Sequence, residues 1–135
     1  MTAGYSGTPL AKKLNLRDGQ RVWFEGMPDS VEEEIAEYAL DLTMVAAPEE
    51  GVDAAHIFVT GRERLANLLE RLRAALASDG HVWVSWPAQV TENESDLDEH
   101  GVRATGLEFG FVDTKACAVD EAWSGMKLVI RKELR

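Results

Sequence analysis

Asp113, Lys115 and Cys117 stand two apart in the stretch "VDTKACAVDEAWSGMKLVIRK", residues 112–132. In an extended strand that spacing puts all three on one face, where a lysine ammonium near a thiol lowers its pKa toward a nucleophilic thiolate. Phe109, Phe111 and Val119 fall on the same face, and the small residues Gly110, Thr114, Ala116 and Ala118 on the other, with Val112. A cysteine nucleophile also needs a base held by a third group. His56, His81 and His100 sit in or beside three different elements with no common spacing. The competing reading is structural: Cys117 as a small buried hydrophobe between alanines, with Asp113 and Lys115 paired to each other or to the partner strand. In "DEAWSG", alternation does not account for Trp123 in a loop. It either closes the end of the core or, with Ser124, walls a ligand pocket, while Gly125 offers the positive φ of a tight turn.

Other motifs fall short of their chemistry. "GYSGTP" lacks the second glycine of a nucleophile elbow, because Thr8 stands there, and no strand precedes it. Gly4, Gly7 and Lys12 could hold an anion, but the Gly-Lys-Ser/Thr of a phosphate loop is missing and Pro9 removes an amide donor; the alternative is a docking segment in which Tyr5 and Leu10 pack on the sheet. "DLDEHG" begins like a calcium loop, yet the position of the bidentate glutamate falls on Leu107. With no HExxH or paired CxxC, no metal is expected.

The elements that must position these residues follow from periodicity and punctuation. Thr8 and Pro9 open a short helix through Leu14, which Arg17–Gly19 ends. "RVWFEG" is a strand. Ser30 with Glu33 forms a capping box for a helix carrying Val31, Ile35, Tyr38 and Ala39, and "LTMV" is a short second strand. "HIFVT" is an apolar run suited to a strand buried on both faces, ending at Thr60, which makes a capping box with Glu63. The helix that follows has the stripe Leu65, Leu68, Leu69, Leu72 and Leu76, and Asp79-Gly80 ends it. "HVWVSWP" is another buried strand. "TENESDLDEH" is an acidic surface loop running into a modest helix before Gly106, and strands over roughly 108–119 and 126–133 complete the chain.

Strands alternating with helices predict an α/β fold, three layers deep, with a mostly parallel sheet of about six strands and a C-terminal antiparallel hairpin. A length of 135 residues fits one domain spanning the chain. Hydrophobic residues at 45% and charged residues at 28% are ordinary globular values, so a folded chain is expected. The 24 acids against 14 bases leave a formal charge of −10, which argues against nucleic acid and anionic membranes as partners. A basic cluster at Lys12, Lys13, Arg17 and Arg21 has no interleaved aromatic platform. One cysteine excludes an internal disulfide, and the N-terminus lacks the apolar core of a secretory signal, so the cytoplasm is the expected compartment.

"GYSGTPLAKKL", "DGHVWVSWP" and "CAVDEAWSGMKLVIRK" together resemble the bacterial family known as domain of unknown function 3052, over essentially the whole chain. The resemblance implies a compact Rossmann-like domain similar to a small S-adenosylmethionine-dependent methyltransferase, with no established activity and no catalytic residue to carry over.

In such a fold the ligand crevice lies beyond the carboxyl ends of the parallel strands, which places Glu25, Gly26, Thr60, Gly61, Ser85 and Trp86 around it. The turn after the first strand, "FEGMPDSVEEE", has one glycine and many acids where a cofactor fingerprint would be glycine-rich. The expectation is therefore a non-catalytic domain with a degenerate cofactor site, without cofactor or useful S-adenosylmethionine affinity, binding a small molecule or a protein partner. The alternative is a methyltransferase-like enzyme.

Overall fold

A computed structural model describes residues 8–88 and 95–135. A short helix α1 (Leu10–Lys13) precedes β1 (Arg21–Glu25), α2 (Asp29–Ala36), β2 (Thr43–Met44) and β3 (Val52–Phe58). Then come α3 (Arg62–Ala75), β4 (Leu76–Pro87), α4 (Glu99–Glu108), β5 (Phe111–Ala118) and β6 (Trp123–Ile130). The six strands form one sheet in the order β2-β1-β3-β4-β6-β5. The first four are mutually parallel, and β6 runs antiparallel to both β4 and β5. The expected α/β fold with its antiparallel C-terminal pair is the fold observed.

Helices cover both faces, so the central strands are buried on both sides and their apolar runs are continuous. On one face Leu65, Leu68, Leu69 and Leu72 of α3 are fully buried against Ile57, Val84, Met126 and Leu128. Each such leucine contributes about 2 kcal/mol relative to exposure. On the other face Leu10 and Leu14, with Val31 and Ile35 of α2, pack on Val22, Phe58 and Trp83.

Several boundaries differ from the sequence expectation for identifiable reasons. Pro9 and Pro28, not Thr8 and Ser30, are the N-caps of α1 and α2. The Pro28 carbonyl already accepts from Glu32 N at 3.1 Å, so Ser30 lies inside the first turn. The cap of α3 is Gly61 rather than Thr60, and the Arg62 amide is satisfied by Asp96 Oδ1 at 2.8 Å, a residue distant in sequence. Helix α2 stops at Ala36, leaving Tyr38 exposed and Ala39 at φ 55°. Gly106 lies within α4, where Leu128 of the sheet packs against its bare Cα.

Leu76 is the first residue of β4 rather than the last leucine of the helical stripe. It pairs with Val52, after which Ala54 pairs with His81, so residues 77–80 bulge out of the ladder. Gly80 is required there, because a Cβ would stand 2.6 Å from the Asp53 carbonyl oxygen. What looked like a helix stop is a β-bulge.

A second irregularity overturns the one-face reading of Asp113, Lys115 and Cys117. The ladder between β5 and β6 shifts between Asp113 and Lys115, which inserts Thr114 and reverses the alternation beyond it. Asp113 accepts from Arg103 of α4 at 3.2 Å, whereas Lys115 reaches the Lys13 carbonyl of α1 on the opposite face. They do not pair with each other.

Trp123, Ser124 and Gly125 are likewise in β6, not in a loop, and Gly125 is not among the glycines with positive φ. Its bareness is a packing requirement: a Cβ would meet Val119 Cγ2 at 2.9 Å and the Trp83 ring at 3.2 Å. Gly125→Ala is therefore expected to cost about 1–3 kcal/mol by overpacking. Chemical denaturation checks this, and an unchanged midpoint would show that the strands part without cost.

Candidate functional site

The chain leaves β1 through α2 to reach β2 on one side and later returns to β3 on the other, so the order reverses between β1 and β3. Open parallel sheets bind ligands outside the carboxyl ends at such a switch point. Here that point is framed by Glu25 at the end of β1 and Gly26 after it, by residues 59–61 after β3, and by the first turns of α2 and α3. Gly26 turns the chain at φ +69°, with the Phe58 carbonyl oxygen 3.0 Å from where a Cβ would stand. Both the turn and the close approach require glycine. Glu25 is half-buried and accepts from Arg64 of α3 at 2.7 Å. Thr60 is exposed and Gly61 half-buried.

The remaining expected site residues reach the same end of the sheet in different environments. Ser85 is fully buried, and its hydroxyl lies 2.7 Å from His56 Nε2. Trp86 belongs to the core on the α3 face. Neither offers an open surface to a ligand. Ser124 pairs with Trp86 across the β4–β6 ladder and is half-buried. Trp123 is half-buried on the opposite face, with its ring edge-on to Phe58 at 5.0 Å between centroids. It closes the end of the smaller core cluster while keeping part of its surface.

The feature that sequence reasoning missed is the environment of His56. It stacks on Phe58 at 4.4 Å, lies near Trp83, and is buried with no partner for Nδ1 among the described residues. Burial, with a smaller effect of His81, pushes its pKa down to about 3. The ring is therefore neutral at physiological pH. A Ser–His contact invites comparison with a nucleophile and its base. Ser85 has no solvent exposure, however, and no carboxylate orients Nδ1, so the pair is a buried polar contact. The signal available in sequence was a histidine inside the buried run "HIFVT".

Cys117 is half-buried, and burial raises its thiol pKa despite the nearby ammonium groups of Lys13 and Lys115. A raised pKa is the opposite of what a nucleophile needs. Alkylation of Cys117 in the native protein at neutral pH is expected to be slower than in the denatured chain. Faster native labelling would reinstate the thiolate.

At the amino ends of the same strands lies a polar cleft of about 370 Å³ lined by Arg17, Asp18, Gln20, Asp53, Asp79 and Gly80. Its carboxylates serve the backbone: Asp18 accepts from Asp41 N and Asp53 from Arg21 N. Among the described residues no group of three or more His, Cys, Asp or Glu side chains could hold a metal ion, and no helix is long and apolar enough to cross a membrane.

Solved structures with this architecture are numerous. The pyocyanin biosynthetic protein PhzM matches with a TM-score of 0.65 at 11% identity, over 90% of this chain and 53% of its own. The ribosomal protein L11 methylase of Lactobacillus delbrueckii subsp. bulgaricus gives 0.56 at 14% identity, over 90% of this chain and 75% of its own. Fibrillarin from Aeropyrum pernix, solved with natively bound S-adenosyl-L-methionine, gives 0.54 at 15%, over 93% and 70%. The fold is thus the methyltransferase-like Rossmann fold, and the chain spans about half the length of the first of these structures. No protein-family model matches the chain, so the resemblance to domain of unknown function 3052 rests on the quoted motifs alone. No curated protein matches it either.

Proposed function

We propose that this chain is a methyltransferase-type domain that binds S-adenosylmethionine at the switch point between β1 and β3, with Glu25, Gly26, Thr60 and Gly61 facing the ligand. This reverses the expectation drawn from the acid-rich turn. The observation that carries it is the charge at the switch point, taken with the fold. The end of β1 and the first turn of α2 present Glu25, Asp29 and Glu32 with no lysine or arginine. The first turn of α3 adds Arg62 and Arg64, but Arg64 is paired with Glu25 and Glu63 stands beside them, so the frame stays net negative. Such a surface repels the phosphates of a dinucleotide. It suits a ligand with no phosphate, a cationic sulfonium and ammonium, and a ribose diol that donates to carboxylates. The cofactor would supply an activated methyl group. The chain's own residues would bind and orient it, and no residue is assigned a part in transfer.

Titration calorimetry tests the reading. Micromolar binding of S-adenosylmethionine is expected, lost in Gly26→Val, whose side chain would meet the Phe58 carbonyl. Circular dichroism must show that the variant folds. Absence of heat with the native protein would overturn the proposal and favour the second reading, a non-catalytic domain binding another small molecule or a protein. That reading is supported by the single glycine of the turn and by the burial of Ser85 and Trp86. A lone half-buried thiol fits the reducing cytoplasm as the compartment in either case.

A further inference from the structure

The chain's negative charge is unevenly distributed. From Val22 to Gly61 there are ten carboxylates and no lysine or arginine, a charge equal to the −10 of the whole chain. Two of the ten are paired across the fold, Glu25 with Arg64 and Glu49 with Arg71. Asp29, Glu32, Glu33, Glu37 and Asp41, on or just beyond α2, have no ion pair among the described residues. Beside them an apolar groove of about 290 Å³ opens between α2 and the sheet, lined by Phe24, Ile35, Ala36, Leu40, Leu42 and Met44, with Glu32 at its rim.

The groove adjoins an open sheet edge. Strand β2 is the terminal strand, only two residues long, and Met44 is 54% exposed. Thr43 N and Val45 N donate to β1-side carbonyls, those of Gln20 and Val22. By alternation, the N–H and C=O of Met44 point away from β1. An exposed edge of this kind is a template for an added strand, and natural edges are commonly blunted by lysine or proline. Neither occurs at Thr43 or Met44. We infer that this edge and groove receive an extended segment of a partner protein that carries lysine or arginine beside apolar side chains: its backbone adds to β2, its apolar residues enter the groove, and its cations face the carboxylates of α2.

Charge decides between occupants. A second copy would bring the same acidic surface against itself, with repulsion between two chains of −10. Residues 1–7 and 89–94 carry no lysine or arginine side chain to offer from within the chain. A cationic partner gains on-rate and register from the same field.

The test uses the full chain and acetylated, amidated seven-residue peptides of alternating Lys and Leu, Lys and Ser, or Glu and Leu. The Lys–Leu peptide is expected to bind at least about tenfold more tightly than the Lys–Ser peptide, and the Glu–Leu peptide not to bind. NMR shifts on titration should concentrate at residues 29–45. Met44→Lys and the double reversal Glu32→Lys with Glu37→Lys should each weaken binding by about tenfold or more. Reversing the remote pair Glu108→Lys with Glu121→Lys, an equal change in net charge, should change it by less than about twofold. The inference is overturned by failure of the Lys–Leu peptide to bind, by equal binding of Lys–Ser, by shifts spread over the surface, or by equal effects of near and remote reversals. A concentration-dependent dimer in sedimentation, abolished by Met44→Lys, would overturn it in favour of a second copy.

Discussion

Between pH 6.5 and about pH 4.5 the folded protein should lose stability steeply, with a slope approaching two protons taken up on unfolding. The two groups responsible are His56, whose pKa falls to about 3, and His81, whose pKa falls to about 4. Desolvation is the first cause for both. For His81 the positive charges of Lys127 and Arg17 add to it, against the nearby Leu14 backbone, which favours the charged form. In the unfolded chain both rings return to about 6.5. Above that pH neither state binds the protons and stability is complete. As pH falls through the window, the unfolded state binds protons that the folded state refuses, so unfolding becomes easier by about 1.4 kcal/mol per pH unit for each histidine.

Glu49, held near 2 by the Arg71 guanidinium, adds a loss of the same sign only below its ordinary value of 4.5. The histidine contribution is therefore readable above that pH. Urea denaturation at half-unit steps measures it. His81→Gln should reduce the slope to about one proton, and unfolding free energy that stays flat from pH 6.5 to 5 would show that the rings are hydrated in the native state.

Much of this fold was legible in local chemistry, and what was not shares one cause. The leucine stripe of α3 up to Leu72 and the apolar runs of β3 and β4 have signatures within a single element, and the structure forms those elements, although β3 starts at Val52, four residues before "HIFVT", and ends at Phe58. The reading of Leu76 as helical, of Asp113 and Cys117 as sharing a face, and of Trp123 as a loop residue failed because each depends on the ladder with another strand. A bulge at residues 77–80 and an extra residue at Thr114 are dictated by register with β3 and β6, which no window of the sequence contains. Caps behaved in the same way: Thr60 had the right residue type and spacing, but the chain brings Asp96 to the amide instead. At the site, the strand ends that carry Glu25, Gly26, Thr60 and Gly61 could be located from fold class. The burial of Ser85 and Trp86 could not, because alternation gives the face of a side chain and not the depth of what covers it.

Trp83→Ala should be among the most destabilising single substitutions in the chain, at about 3–5 kcal/mol. Trp83 is 1% exposed and is the largest fully buried side chain. Its ring packs near Gly125 on β6, and its Nε1–H donates to the Leu14 carbonyl at 2.9 Å. That one hydrogen bond spans 69 positions in sequence and ties the end of α1 to the centre of the sheet. Helix α1 has only four residues and cannot persist without tertiary contacts, so it is fixed by the burial of Leu10, Ala11 and Leu14 together with the indole tie. Trp83→Phe separates the two roles: most of the apolar contact survives, but the Leu14 carbonyl loses its donor, at a cost of about 1–3 kcal/mol. If the tie acts as described, Trp83→Phe will also raise amide exchange and proteolytic cleavage over residues 10–16 more than elsewhere. A phenylalanine variant with native stability and unchanged protection of that segment would refute the tie, leaving Trp83 as a volume of core and nothing more.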